Sequence, residues 1–216
     1  MKIYSSAASP NCWKIFSVAH ELSLAIETIP IDLFNGEAKS AAFLAKNPNG
    51  RVPVLEDDGF FLWESNAILG YLASKQSSPP LLPATPRERA EVDRWLYWES
   101  CSLSPAVWKV EFEKIIKPLL KRTPDPVAIA NGTAEFAAAA QVLDEVLGGK
   151  DYVAGKLSIA DFAIEPFINL AARDCALDIT PYRNLCAWND RMNARESVKR
   201  TVASAQAAMR ALGDSG

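Results

Sequence analysis

Apolar residues recur along this chain with two different periods, and the period changes once. Up to about residue 75, short strand-like runs alternate with helical stretches. Lys2–Ser5 reads as a strand. Ser9-Pro10 then reads as a helix start, with serine at the N-cap and proline at the first helical position. Cys12, Ile15, Phe16, Ala19 and Leu22 follow at helical spacing and predict one buried face. The β-branched run Ile26–Ile31 predicts a second strand. Val52–Glu56 and Phe60–Trp63 flank Asp57-Asp58-Gly59, a hairpin signal, and Ser65 then caps a helix carrying Ile68, Leu69 and Leu72. The order β-α-β-(loop/helix)-β-β-α describes a small mixed sheet with helices packed on it.

Gln76–Pro86 holds four prolines in eleven residues, which predicts an extended linker because proline continues neither a helix nor a central strand. Thr85-Pro86-Arg87-Glu88 has the form of a capping box. Beyond it only helical periods follow, at about 86–104, 105–122, 126–147, 158–175, 181–193 and 196–211. Ser104-Pro105 is expected to kink the first long helix rather than end it. Gly148-Gly149 stops the third, and Thr180-Pro181 starts the fifth. The expected division is an α/β domain over 1–75, a linker over 76–86 and an all-helical domain over 87–216.

Composition narrows the function classes. With 49% hydrophobic and 23% charged residues, 216 residues are enough to bury a globular core. A net charge of −3 gives no reason to expect nucleic acid, and no Lys/Arg run points to a membrane surface. No segment has the apolar length of a membrane span, and the start lacks the apolar run of a secretion signal. The expectation is a soluble cytoplasmic protein. Cys12, Cys101, Cys175 and Cys186 are scattered without zinc-ligand spacing and read as reduced thiols. The single histidine, His20, lies inside a helical stretch, so no multi-histidine metal site is expected and a Ser/His/Asp triad would have to recruit it.

Four places can carry chemistry. At the first helix start, the Ser9 hydroxyl is expected to cap the first turn, and a helix N-terminus also favours a bound anion. Asn11 and Cys12 share that turn. Cys12 sits where a helix end depresses a thiol pKa, yet it also falls on the apolar stripe, where a buried inert thiol is expected. Val52-Pro53 opens a strand; a cis proline there would turn the Val52 N–H and C=O toward an extended, peptide-like ligand. Glu64-Ser65, at the next helix start, pairs an acid for an ammonium with a hydroxyl and helix amides for a carboxylate. The three together fit one anionic, amino-bearing, peptide-like molecule. The aromatics Trp95, Tyr97, Trp98, Trp108 and Phe112 are expected to be mostly core, with some lining an apolar pocket facing the small domain.

These residues also resemble a known family. Asn47-Pro48-Asn49-Gly50-Arg51-Val52-Pro53-Val54-Leu55, followed by Trp63-Glu64-Ser65-Asn66-Ala67-Ile68, is similar to the glutathione transferase signature, and Gly155–Phe162 resembles the family's second mark. There, Ser158 and Asp161 form an N-capping box, with Leu157 and Phe162 placed as a hydrophobic staple. The likeness runs from Met1 to about the 190s. It implies a thioredoxin-like N-terminal domain with Pro53 cis, a C-terminal helical bundle, and a homodimer. It also implies glutathione as co-substrate with no further cofactor or metal. Val52 and Pro53 would meet the cysteinyl unit, Glu64 and Ser65 the γ-glutamyl end, and Lys39 and Arg51 the glycyl carboxylate. The phi class commonly has His-Lys where this chain has Ala38-Lys39. Ser9 aligns with the catalytic serine of phi-like members, and Ser9-Pro10-Asn11 resembles the Thr-Pro-Asn of the nu class. Beta-class and omega-class members use a cysteine hereabouts, which makes Cys12 the alternative to Ser9 and Asn11. Tyr4 lies in the strand and is a weaker candidate. Trp108 and Phe112 would line the pocket of an apolar or aromatic electrophile. The implied reaction is conjugation of the glutathione thiolate to that electrophile. Glutathione-dependent reduction of disulfides or peroxides is a second reading, and a non-catalytic interaction module a third.

Overall fold

The computed structural model describes residues 1–76 and 78–213, with side chains described through residue 207. The chain separates into two compact units, Met1–Leu82 together with the chain from Ala194 onward, and Pro83–Asn193.

The first unit is built on a four-stranded sheet in the order β2-β1-β3-β4. Strand β1 (Lys2–Ser5) leads into helix α1 (Pro10–Glu21), which returns to β2 (Glu27–Pro30), parallel to β1. Strands β3 (Val54–Asp57) and β4 (Phe60–Trp63) form the hairpin. Its two-residue loop has Asp58 at φ 50° and Gly59 at φ 81°, the left-handed pair that matches strand twist and that an Asp-Gly dipeptide supplies. Strand β3 is buried on both faces. Leu55 opposite Ile3 is fully buried on one, and Val54 opposite Tyr4 packs on the other with Ile31, Ala38 and Phe43. A short helix α2 (Ala41–Leu44) carries Phe43, with the Ser40 hydroxyl accepting from its N–H. Helix α3 (Ser65–Lys75) follows β4 and packs against α1 through Ile68, Leu69 and Leu72.

The second unit is helical throughout. Helix α4 (Pro86–Trp98) continues through a wide π turn, Glu99–Leu103, into α5 (Ser104–Glu111). A second π turn, Phe112–Ile116, leads into α6 (Lys117–Leu119). These two π turns precede prolines, Pro105 and Pro118, whereas a third, Leu170–Asp174, ends its helix without one. The longer hydrogen-bond step absorbs the missing N–H, so the helix passes Pro105 without ending. At the start of α4, the Thr85 hydroxyl accepts from the Glu88 N–H as expected. The Glu88 carboxylate, however, takes the Thr85 hydroxyl rather than its backbone N–H. Helix α7 (Pro126–Leu147) is capped by Asp125, which accepts from Val127 and Ala128. Helices α8 (Ile159–Asn169) and α9 (Arg183–Asn193) complete the unit around Val107, Phe136, Leu143, Phe162 and Trp188.

The expected domain over 87–216 is therefore too long. Helix α10 (Glu196–Gly213) packs with the first unit on α1. Glu21 accepts from the Ser197 hydroxyl at 2.6 Å and pairs with Arg195, while the His20 Nδ1 stands 3.1 Å from the Thr201 hydroxyl. His20 is half-buried, and burial, followed by the charge of Arg200, holds its pKa below the ordinary value. It ties two helices together.

Candidate functional site

The start of α1 is open. Ser9 has extended backbone (φ −103°, ψ 116°), and its carbonyl accepts from Cys12 and Trp13 at 2.9 and 3.2 Å. Its hydroxyl makes no capping bond, contrary to expectation. Pro10 has no N–H to offer, and the Cys12 N–H already has the Ser9 carbonyl, so the half-buried hydroxyl turns to the Cys12 thiol instead of the first-turn amides. The Asn11 N–H also takes no backbone partner among the described residues. The Trp13 indole fixes the approach to the helix by donating to the Ala7 carbonyl at 2.7 Å.

The neighbouring candidates for thiol chemistry are closed. Cys12 is fully buried, and burial pushes its thiol up to about 11 against the opposing pull of Ser6, Ser9 and the Lys14 charge. A thiol held there is protonated at neutral pH and out of a solvent-borne partner's reach. The Tyr4 hydroxyl donates to Glu56 at 2.5 Å, a bond that raises its pKa to about 12.

The start of α3 meets the start of α1. The Ser65 hydroxyl donates to Asn11 Oδ1 at 3.0 Å, joining two predicted site residues across 54 positions of sequence. With its oxygen taken, Asn11 presents its Nδ2 as the remaining donor. Glu64 precedes Ser65 with its side chain exposed and its backbone at φ 69°, ψ 109°. A non-glycine residue in that region carries strain of about 1–3 kcal/mol, and such strain gathers at functional sites. A second bridge joins the same helices, from the Lys14 ammonium to Asn66 Oδ1 at 2.8 Å. The sequence reading missed Lys14. The signal was a cation among the buried positions of α1.

The third element is the loop before β3. Buried Asn47 folds it, donating from Nδ2 to the Arg51 carbonyl at 2.7 Å and accepting the Asn49 N–H at 3.0 Å. Gly50 lies at φ 59°, and a Cβ there would stand 2.7 Å from both the Ala38 carbonyl and the Lys39 ammonium, so a side chain is excluded. Lys39 donates to the Asn49 carbonyl at 3.0 Å, and the Arg51 side chain is exposed. The loop ends in a cis Val52-Pro53 bond. The Val52 N–H and C=O take no partner among the described residues.

In the helical unit only Trp95 of the five aromatics is core, at 4% exposure. Trp98 and Phe112 are half-buried, whereas Tyr97 and Trp108 are 73% and 51% exposed. The expectation that most of them are buried fails, because helical spacing sets the face of a residue without saying whether that face is covered. Trp108 and Phe112 stack obliquely with ring centroids 5.6 Å apart, giving a partly open aromatic surface. No group of three His, Cys, Asp or Glu side chains able to hold a metal occurs among the described residues. No helix of those residues is long and apolar enough to cross a membrane.

The family model for the "Glutathione S-transferase, N-terminal domain" matches residues 1–74, and that for the "Glutathione S-transferase, C-terminal domain" matches residues 107–196. Glutathione S-transferase 3 of Zea mays is 32% identical over 209 residues, covering 94% of each chain. Glutathione S-transferase GstB of Escherichia coli K12 is 35% identical over 198 residues, covering 90% of this chain and 93% of its own. Glutathione transferase URE2P6 from Phanerochaete chrysosporium, solved in complex with oxidized glutathione, superposes with a TM-score of 0.87. Its identity is 28%, and the match covers 96% of both chains.

Proposed function

The chain belongs to the glutathione S-transferase family, and from that premise we propose that it stabilises the glutathione thiolate and conjugates it to an apolar or aromatic electrophile. The observation that carries this reading is the Ser65–Asn11 hydrogen bond, because it couples the two helix starts where a γ-glutamyl end and a sulfur would lie.

In this reading glutathione lies extended. Its ammonium pairs with the exposed Glu64 carboxylate, and the adjoining carboxylate is received by the Ser65 N–H and the rest of the first turn of α3, where N–H groups and helix dipole favour an anion. The cysteinyl backbone pairs with the Val52 N–H and C=O beside Pro53. Lys39 and Arg51 take the glycyl carboxylate. The sulfur then falls at the start of α1, against the Ser9 hydroxyl and the Asn11 amide. Hydrogen bonds to the charged form favour it, so the thiol loses its proton to solvent within the neutral range. The thiolate attacks the electrophilic carbon, a sulfur–carbon bond forms, and the leaving group departs with its electron pair. Trp108 and Phe112 are the proposed contacts for the second substrate. Homodimeric assembly and a cytoplasmic location belong to the same proposal.

Buried Cys12 gives no support to exchange at an enzyme thiol. Disulfide reduction would therefore have to run through the glutathione sulfur alone. A paired assay on pure protein separates the readings: chloronitrobenzene conjugation against hydroxyethyl-disulfide reduction, both with glutathione. Conjugation as the dominant activity supports the proposal. Dominant disulfide reduction replaces it with the reductase reading, and inactivity in both, with no glutathione retained, overturns it.

A further inference from the structure

Among the described residues Lys14 is the only lysine or arginine classed as buried, at 0% exposure. An ammonium withdrawn from water costs several kcal/mol unless its protons are placed. Lys14 places one on Asn66 Oδ1, at 2.8 Å, in the first turn of α3. A cation beside a helix N-terminus opposes the helix dipole, so dipole electrostatics would not choose a lysine there. A methionine would fill the same slot without that conflict.

The position has a geometric logic. Asn11 and Lys14 are three residues apart on α1 and so share a face. They reach consecutive residues of α3: Asn11 takes the Ser65 hydroxyl and Lys14 holds the Asn66 side chain. The two bonds act as rungs, and on top of the apolar packing of α1 on α3 they fix the register of the two helix starts at two points rather than one. We propose that Lys14 is a positioning residue for the glutathione site, locking the first turn of α3 against α1 so that Ser65 and Asn11 meet. This rests on the glutathione reading above and adds to it a residue that touches neither substrate.

The test uses the full-length protein. Lys14→Met removes the donor and keeps the stem, Asn66→Leu removes the acceptor, and Asn66→Asp retains it. Glutathione affinity is read by calorimetry and the pKa of the bound thiol by thiolate absorbance against pH, both well below the melting temperature. Lys14→Met and Asn66→Leu should each weaken glutathione binding about tenfold, the scale of one charged hydrogen bond, and raise the bound thiol's pKa. Asn66→Asp should stay near the unaltered protein on both readouts. The double variant should be no worse than the poorer single one, as for a pair acting through one bond. A lower melting temperature with affinity and thiol pKa unchanged would mean packing only and overturn the inference. If Lys14→Met fails to fold, the contrast between Asn66→Leu and Asn66→Asp decides, and equal affinities there count against it. Failure of the unaltered protein to bind glutathione would instead remove the functional reading itself.

Discussion

Replacing Asp161 with alanine strips several buried donors of their acceptor at once. Its Oδ1 accepts the Val153 N–H and the Trp188 indole N–H, each at 3.0 Å. Its Oδ2 accepts the Ser158 N–H at 3.0 Å and the Ser158 hydroxyl at 3.3 Å. Asp161 and Trp188 are both 0% exposed, so water cannot take over these bonds without opening the core. The hydroxyl can rotate to another use, but the three N–H groups cannot. At about 1–3 kcal/mol for each orphaned donor, Asp161→Ala should cost at least about 3 kcal/mol. Asp161→Asn is more selective. Its one oxygen can still serve Val153 and Trp188, and its NH2 can donate to the Ser158 hydroxyl, leaving only the Ser158 N–H unpaired. That variant should cost about 1–3 kcal/mol. Urea unfolding at pH 7.5 and fixed protein concentration, followed by tryptophan fluorescence, measures both. Alanine within about 1 kcal/mol of the unaltered protein, or asparagine as damaging as alanine, would refute the donor count.

The other predictions concern the site, the assembly and pH. Ser9→Ala should lower kcat with little change in glutathione affinity and raise the pKa of the bound thiol, while Cys12→Ala should leave conjugation intact; the reverse pattern would put the chemistry on an enzyme thiol. Ser65→Ala should weaken glutathione binding by calorimetry and also raise that thiol pKa, because Asn11 loses the donor that orients it. Sedimentation at micromolar concentration should return the mass of two chains; the exposed faces of α3 and α4 are the proposed contact. Burial raises the Glu165 carboxyl to about 8, against the Asn169 amide and the charge of Arg173. The folded protein thus keeps a proton that the unfolded chain has already released. Stability should fall as pH rises from the ordinary carboxylate range through 8, and Glu165→Gln should flatten that decline in melting temperature.

Local chemistry was legible in the residues. Ser158 and Asp161 form the reciprocal box that their spacing predicts, and Asp58-Gly59 makes the hairpin turn that an Asp-Gly pair predicts. The helix starts at Pro10 and Pro126 are marked by proline and are found. Ser65, expected as an N-cap, is instead the first residue of α3, and Glu64 takes the cap position without a side-chain capping bond. Relations between distant residues were not legible. Nothing in spacing announces that Ser65 donates to Asn11 or that Lys14 reaches Asn66, since both bonds exist only once α1 and α3 are packed. The period of residues 196–211 predicts an amphipathic helix without naming the surface its apolar face covers. That is why the helix was assigned to the wrong unit. Ser9 shows a subtler gap, because an N-cap serine is recognisable from sequence whereas the direction of its hydroxyl is set by neighbours that compete for the first-turn amides.

The return of α10 to α1 means that the first unit is discontinuous in sequence, with the helical unit inserted between its two parts. During synthesis its sheet and α1 emerge before the helical unit, but the surface formed by His20 and Glu21 waits for Arg195, Ser197 and Thr201, which come after it. The inserted helices can close around their own core while the earlier unit still lacks its final helix. A nascent or prematurely terminated chain ending before Ala194 would carry all the proposed ligand contacts yet leave one flank of α1 uncovered. Such chains present a natural target for chaperones and proteases until α10 docks on α1.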